Sequence, residues 1–269
     1  MSLDAAYRKE SEGTFMAKVI AIANQKGGVA KTTTTAALGA GLKQKGFRVL
    51  TIDADPQGNL SDSVGADNRT SDTVYELLKN EVEAADAIQH LEVFDIIPAN
   101  IMLAGAEQEI SQIGKEQRMK ERIASVMDRY DYIIVDTPPS LGLLTINAFT
   151  AADEVIIPTT AGIFAASGIV QLFETIKNVR KYCNSKIRIA GVLLTRFNPR
   201  TNTNQDMREL TEKIANSMEA ELFKTFIRSS VVVEEAQVRK EDILTYKEKS
   251  TVAEDYKAFI EEYLEGAQD

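Results

Sequence analysis

From Lys18 onward the chain alternates short, almost wholly apolar runs with longer stretches in which apolar residues return every three or four positions. The short runs are 19–23, 48–52, 94–97, 132–135, 155–157 and 189–194, with a more polar seventh at 222–227. A strand covered on both faces has no polar side, so it reads as continuous Val and Ile rather than as an alternation. The longer stretches are 32–45, 103–127, 167–180, 203–218 and 251–264. The first stops at Gly46, a helix-ending residue, and the second carries a candidate break at Gly114. Repeated strand–helix units predict an α/β fold: a doubly wound, mostly parallel sheet flanked by helices on both faces. No repeat, low-complexity tract or Pro/Gly/Ser linker interrupts the series, so residues 16–269 read as one domain. Residues 1–15 lack the apolar stretch of a secretory signal and read as a disordered leader, or as residues added ahead of a start at Met16.

Composition narrows the class only modestly. At 269 residues, 44% hydrophobic and 26% charged, the chain suits one sizeable core. No apolar run reaches the ~18 residues that a membrane span needs. Cys183 is the lone cysteine and His90 the lone histidine, which rules out an internal disulfide and argues against a zinc or iron–sulfur site held within one chain. A cytoplasmic location follows as the default. The net charge of −9 opposes nucleic-acid binding unless a local basic face works against the overall field.

In folds of this class ligands sit beyond the carboxyl ends of the strands. The first strand runs into Asn24-Gln25-Lys26-Gly27-Gly28-Val29-Ala30-Lys31-Thr32-Thr33 and then a helix. A glycine-rich turn there exposes successive backbone N–H groups at the positive end of the helix, an anion-sized cradle. The backbone of Gly27, Gly28, Val29 and Ala30, with the helix-opening Lys31, Thr32 and Thr33, would hold a phosphate chain. Lys31 would add a full charge on the β- and γ-phosphates, and the Thr32 hydroxyl would coordinate Mg²⁺. The general pattern G-x-x-x-x-G-K-S/T wants glycine at Gln25 and Ala30, and neither is present. If Ala30 must take φ > 0, it costs about 1–2 kcal/mol. At negative φ it is harmless and stiffens the loop.

Two further strands end in acids. The second is followed by Asp53-Ala54-Asp55-Pro56-Gln57-Gly58-Asn59, the fourth by Asp136-Thr137-Pro138-Pro139-Ser140. An apolar run closed by an aspartate suits a Mg²⁺ position, because that ion prefers oxygen ligands and keeps several waters.

What remains of the loop is K-G-G-x-x-K-S/T, with Lys26 as a second lysine ahead of Lys31. In this the chain resembles the ParA/Soj-type partition ATPases of the ParA/MinD group, which share the P-loop NTPase fold and a deviant Walker A loop. The likeness extends to D-x-D-P-Q-G-N at Asp53–Asn59, D-T-P-P-S-L-G at Asp136–Gly142, Ile97–Asn100 with Leu103–Glu107, and Gly191–Asn198. It implies a slow, partner-stimulated ATPase acting with ATP and Mg²⁺. Lys26 would reach across a homodimer interface to the partner's nucleotide. Asp55 would orient the attacking water, Asp136 and Thr32 would hold the metal with Asp53 supporting its shell, and Thr195 and Arg196 would hold the adenine. A ParB-like centromere-binding protein and nonspecific DNA are the implied partners, and the nucleoid the implied place of work. Arg200 in Arg200-Thr201-Asn202 matches a DNA-contacting arginine of the family, and Arg228 is the second DNA candidate.

The match has departures. Many relatives carry Glu where Gly162 stands, and Val232 occupies a second basic position. Ala30 and the basic position lost at Val232 leave open an alternative: a nucleotide-gated regulatory module for replication or transcription with negligible hydrolysis. A membrane-positioning role fits poorly. The polar face of the last helix carries Glu254, Asp255, Glu261, Glu262 and Glu265 against Lys257 alone, and anionic headgroups repel carboxylates.

Overall fold

The computed structural model describes residues 16–70, 72–110 and 113–266. The leader read at residues 1–15 lies outside them. The described strands are β1 Lys18–Ile22, β2 Val49–Asp53, β3 Gln89–His90, β4 Asp95–Ile97, β5 Tyr132–Asp136, β6 Glu154–Thr160, β7 Arg188–Phe197 and β8 Leu222–Arg228. They form one sheet in the order β3-β4-β2-β5-β1-β6-β7-β8. Only the short β3–β4 pair at one edge is antiparallel.

Successive residues of the central strands feed opposite layers. Val19, Ala21, Ile133 and Val135 point into one core, and Ile20, Ile22, Tyr132 and Ile134 into the other. This two-sided burial is why the runs are almost wholly apolar. The first layer is closed by helices Leu143–Ala151 and Ile163–Tyr182, through Leu144, Phe149, Ile169 and Leu172. The second is closed by helix Lys31–Gln44 and the C-terminal helix Thr251–Gly266, through Leu38, Leu42, Tyr256 and Phe259.

Two glycines let the Lys31–Gln44 helix lie unusually close to its neighbours. A Cβ on Gly39 would sit 3.0 Å from the Phe94 ring, and one on Gly41 would overlap Ile260 Cδ1. The C-terminal helix is thus a packing element with its apolar face inward. It is pinned below the sheet where the Tyr263 hydroxyl donates to buried Glu154 at 2.6 Å, and Glu154 also pairs with Lys18 and Arg188. No described helix is long and apolar enough to cross a membrane.

Where helical periodicity ran from 103 to 127 with a candidate break at Gly114, the chain forms several short pieces. They are a 3-10 segment Ile101–Gly105, helix Ala106–Glu109, a 3-10 turn Lys115–Gln117, helix Arg118–Ile123 and a 3-10 segment Ala124–Arg129. Gly114 at φ 83° makes the break, since that conformation is free only to glycine. Helix Leu143–Ala151 was not legible. It is buried nearly all round, so it carries no polar stripe to betray its period.

Candidate phosphate-binding site

The ends of β2, β5 and β1 lie side by side and in register, Asp53 opposite Asp136 and Ile22 opposite Asp136. That alignment brings together residues far apart in sequence. The loop leaving β1 is anchored at its start by Asn24, whose amide donates to the Pro158 carbonyl at 2.7 Å and whose oxygen accepts the Lys26 N–H at 2.9 Å. Gly28 takes φ 73°, and Ala30 takes φ 64° and ψ 31°, at the N-cap of the helix. Ala30 therefore sits at positive φ, and the benign alternative of negative φ is set aside. Nothing in the side chains caps this helix, and no acid stands in its first turn. Its first intrahelical bond runs from Thr34 N–H to the Ala30 carbonyl, so the N–H groups of Lys31, Thr32 and Thr33 precede the ladder. An uncapped, glycine-opened helix start beneath a lysine is an anion site in waiting.

Ala30 offers a test of the loop conformation. Relief of left-handed strain at alanine is worth about 1–2 kcal/mol, against about 0.4–1 kcal/mol lost to the looser unfolded chain. Ala30→Gly is expected to raise stability by about 0.5 kcal/mol, a thermal midpoint gain of about 1–2 °C by calorimetry. A lowered midpoint would contradict the left-handed assignment.

Lys31 is almost wholly buried, at 7% exposure, with Nζ 3.4 Å from the Lys26 carbonyl. Burial lowers its pKa, and Asp136 and Asp55 act against that shift. Asp136 is fully buried and receives the Thr32 hydroxyl at 2.7 Å on one oxygen and the Thr35 hydroxyl at 3.2 Å on the other. Burial first, then the neighbouring Asp53, raise Asp136 to about 8. Asp53 is likewise raised to about 6, chiefly by burial, although Ser61 donates to it from its backbone at 2.9 Å and its hydroxyl at 2.7 Å. Asp55, at 7% exposure, has its orientation fixed by the Gln57 N–H at 3.0 Å.

Asp55 and Asp136 act on Lys31, and Asp53 acts on Asp136, so three acids share the site with one lysine. A divalent cation would relieve that imbalance. Among the described residues no three His, Cys, Asp or Glu side chains converge as a complete metal cage. A hydroxyl from Thr32 and a carboxylate from Asp136 fit instead an ion that completes its shell with waters and phosphate oxygens, as Mg²⁺ does.

Lys26 is exposed at the rim of the loop. Thr195 and Arg196, at the end of β7, contact the loop itself: the Thr195 hydroxyl reaches the Val29 carbonyl at 3.0 Å, and Arg196 Nη1 donates to the Gly28 carbonyl at 3.3 Å. Thr195 has no exposed surface to offer a base, whereas Arg196 is exposed. Arg200 is exposed just before helix Asn202–Asn216. Arg228 is committed to the C-terminal helix. Its Nη2 and Nε donate to Asp255 at 2.6 and 2.9 Å, and its backbone N–H donates to Asp255 at 2.9 Å. Asn24, Thr35 and Ser61 were passed over in the sequence. Only Asn24, opening the loop, and Thr35, one turn after Thr32, stood near a signal.

Residues 17–189 match the family described as AAA domain. The sporulation initiation inhibitor protein Soj of Bacillus subtilis is 43% identical over 245 residues, covering 90% of this chain and 96% of Soj. The chromosome partitioning protein ParA of Caulobacter vibrioides is 37% identical over 264 residues, covering 94% of this chain and 96% of ParA. A solved structure named cobyrinic acid a,c-diamide synthase from Mycobacterium smegmatis, with bound ATP analog and magnesium, is similar at TM-score 0.82 and 35% identity, covering 94% of this chain and 96% of that one.

Proposed function

The chain belongs to the ParA/Soj-type family of P-loop ATPases, and from that premise we propose that it is an ATP-dependent dimerising switch for plasmid or chromosome partition. It hydrolyses ATP to ADP and phosphate, slowly until a ParB-like centromere-binding protein stimulates it, and it binds nonspecific DNA as the ATP-bound dimer in the nucleoid-occupied cytoplasm. The observation that carries this reading is Lys31, the first residue of an uncapped helix, buried beside Asp55 and Asp136.

Each residue has a task that its surroundings support. The loop N–H groups and Lys31 bind the phosphate chain. Thr32 and Asp136 hold Mg²⁺, with Asp53 behind them, and the ion supplies charge neutralisation on the phosphates. Asp55, with its direction set by the Gln57 N–H, orients the attacking water. Lys26, exposed at the rim, extends to the nucleotide of the facing protomer. Arg196, exposed at the end of β7, bonds the loop at the Gly28 carbonyl. Arg200 contributes a phosphate contact on DNA, and dimerisation doubles it.

One observation favours the regulatory-module alternative. The guanidinium of Arg228 must leave Asp255 before it can serve DNA. Light scattering separates a nucleotide-gated switch from an inert fold. The mass should double from 29.6 kDa when MgATP replaces MgADP, and DNA affinity should appear only in the ATP state and fall steeply with salt. A mass unchanged by MgATP would refute the switch. ATP turnover unmoved by DNA and partner would leave the module reading.

A further inference from the structure

We propose that Thr195 and Arg196 are positioning residues for phosphate recognition, acting as a clamp that sets the direction of two successive peptide units in the loop. The proposal deepens the nucleotide-binding reading above and rests on it. In a trans peptide the C=O and N–H of one unit point opposite ways. Arg196 Nη1 draws the Gly28 carbonyl toward the end of β7 at 3.3 Å, which turns the N–H of Val29 the other way. The Thr195 hydroxyl draws the Val29 carbonyl at 3.0 Å, which turns the N–H of Ala30 the other way. Those two N–H groups belong to the stretch between Gly28 and the helix start, the wall of the anion cradle.

The clamp has something to restrain. Gly28, at φ 73°, is permissive, and rotation of the 28–29 unit would present a carbonyl lone pair to an incoming phosphate. The Thr159 carbonyl lies 3.2 Å from the Thr195 hydroxyl and competes for its single proton, so the hydroxyl sits between β6 and the loop. Arg196 itself takes φ 51°, a left-handed conformation that strains a residue bearing a Cβ. Glycine would hold that backbone without strain. At this position it is the arginine's side chain, through its bond to Gly28, and not its backbone preference, that has a use.

The test uses the full chain and displacement of a fluorescent ATP analogue by two competitors: MgATP and magnesium tripolyphosphate, a phosphate chain without a base. Thr195→Val is expected to weaken both competitors by the same factor, about tenfold, and Arg196→Gly to weaken both about threefold. Thr195→Ser keeps the hydroxyl and should stay within about twofold of wild type. Arg196→Gly should melt no lower than wild type, so its loss of affinity cannot be loss of fold. A loss confined to MgATP would overturn the clamp in favour of base contact. Unchanged affinity in both Thr195→Val and Arg196→Gly would overturn it as well, as would a wild type that binds MgATP but not the base-free chain. A wild type that binds neither would instead refute the nucleotide-binding reading.

Discussion

Lys31→Ala is expected to lower MgATP affinity by at least about 100-fold, measured by isothermal titration, while the protein remains folded. The lysine makes the charge-assisted contact to the phosphates, worth about 1.5–3 kcal/mol, and it also balances the acids around it. Without it, a triphosphate must enter beside Asp55 with no ammonium from this loop to meet its phosphates. Both losses fall on binding. The fold suffers less, because burial already pushes Asp136 toward its neutral form, at about 8, so removal of Lys31 does not strand a full charge at neutral pH. Lys31→Arg is not expected to restore binding. A planar fork does not fit a space shaped around one ammonium 3.4 Å from the Lys26 carbonyl. Binding within about threefold of wild type in Lys31→Ala would mean that the loop is not the phosphate site.

What the sequence made visible shares one property: the signal is local. The central strands announced themselves because both faces are buried. Their acids announced themselves because Asp53 and Asp136 each follow directly on an apolar run. The loop was visible despite Ala30, since two glycines, two lysines and the following Ala-rich helix are contiguous. Features that depend on distant partners were not visible. Ser61 meets Asp53 only after the turn folds back. Thr195 meets Val29 across 166 positions. Arg228 looked available as a DNA contact because Asp255, its partner, lies 27 residues on. The φ of Ala30 was undecidable for a different reason: a methyl group carries no record of the backbone conformation it tolerates.

Asp55→Ala is expected to reduce ATP hydrolysis by about 100-fold or more while MgATP affinity stays within about threefold of wild type. The separation follows from what each aspartate touches. Asp53 is fully buried and accepts three hydrogen bonds, from Ser61 N–H, Ser61 Oγ and Asp55 N–H, so its loss would disturb the turn itself. Asp55 retains slight exposure, and its carboxylate accepts a hydrogen bond from the Gln57 N–H. That N–H is half-buried and can turn to water. Truncation therefore leaves the phosphate loop, Lys31 and the Thr32–Asp136 pair intact, and even removes a negative charge near the γ-phosphate. Hydrolysis alone loses the group that would place the attacking water. An enzyme that binds but does not cleave should accumulate in its ATP-bound form. In Asp55→Ala, then, the doubled mass seen by light scattering with MgATP should persist for hours, where wild type reverts as ATP is spent. Equal turnover in the two proteins would remove Asp55 from the chemistry, and rapid reversion of the variant would remove hydrolysis as the step that opens the dimer.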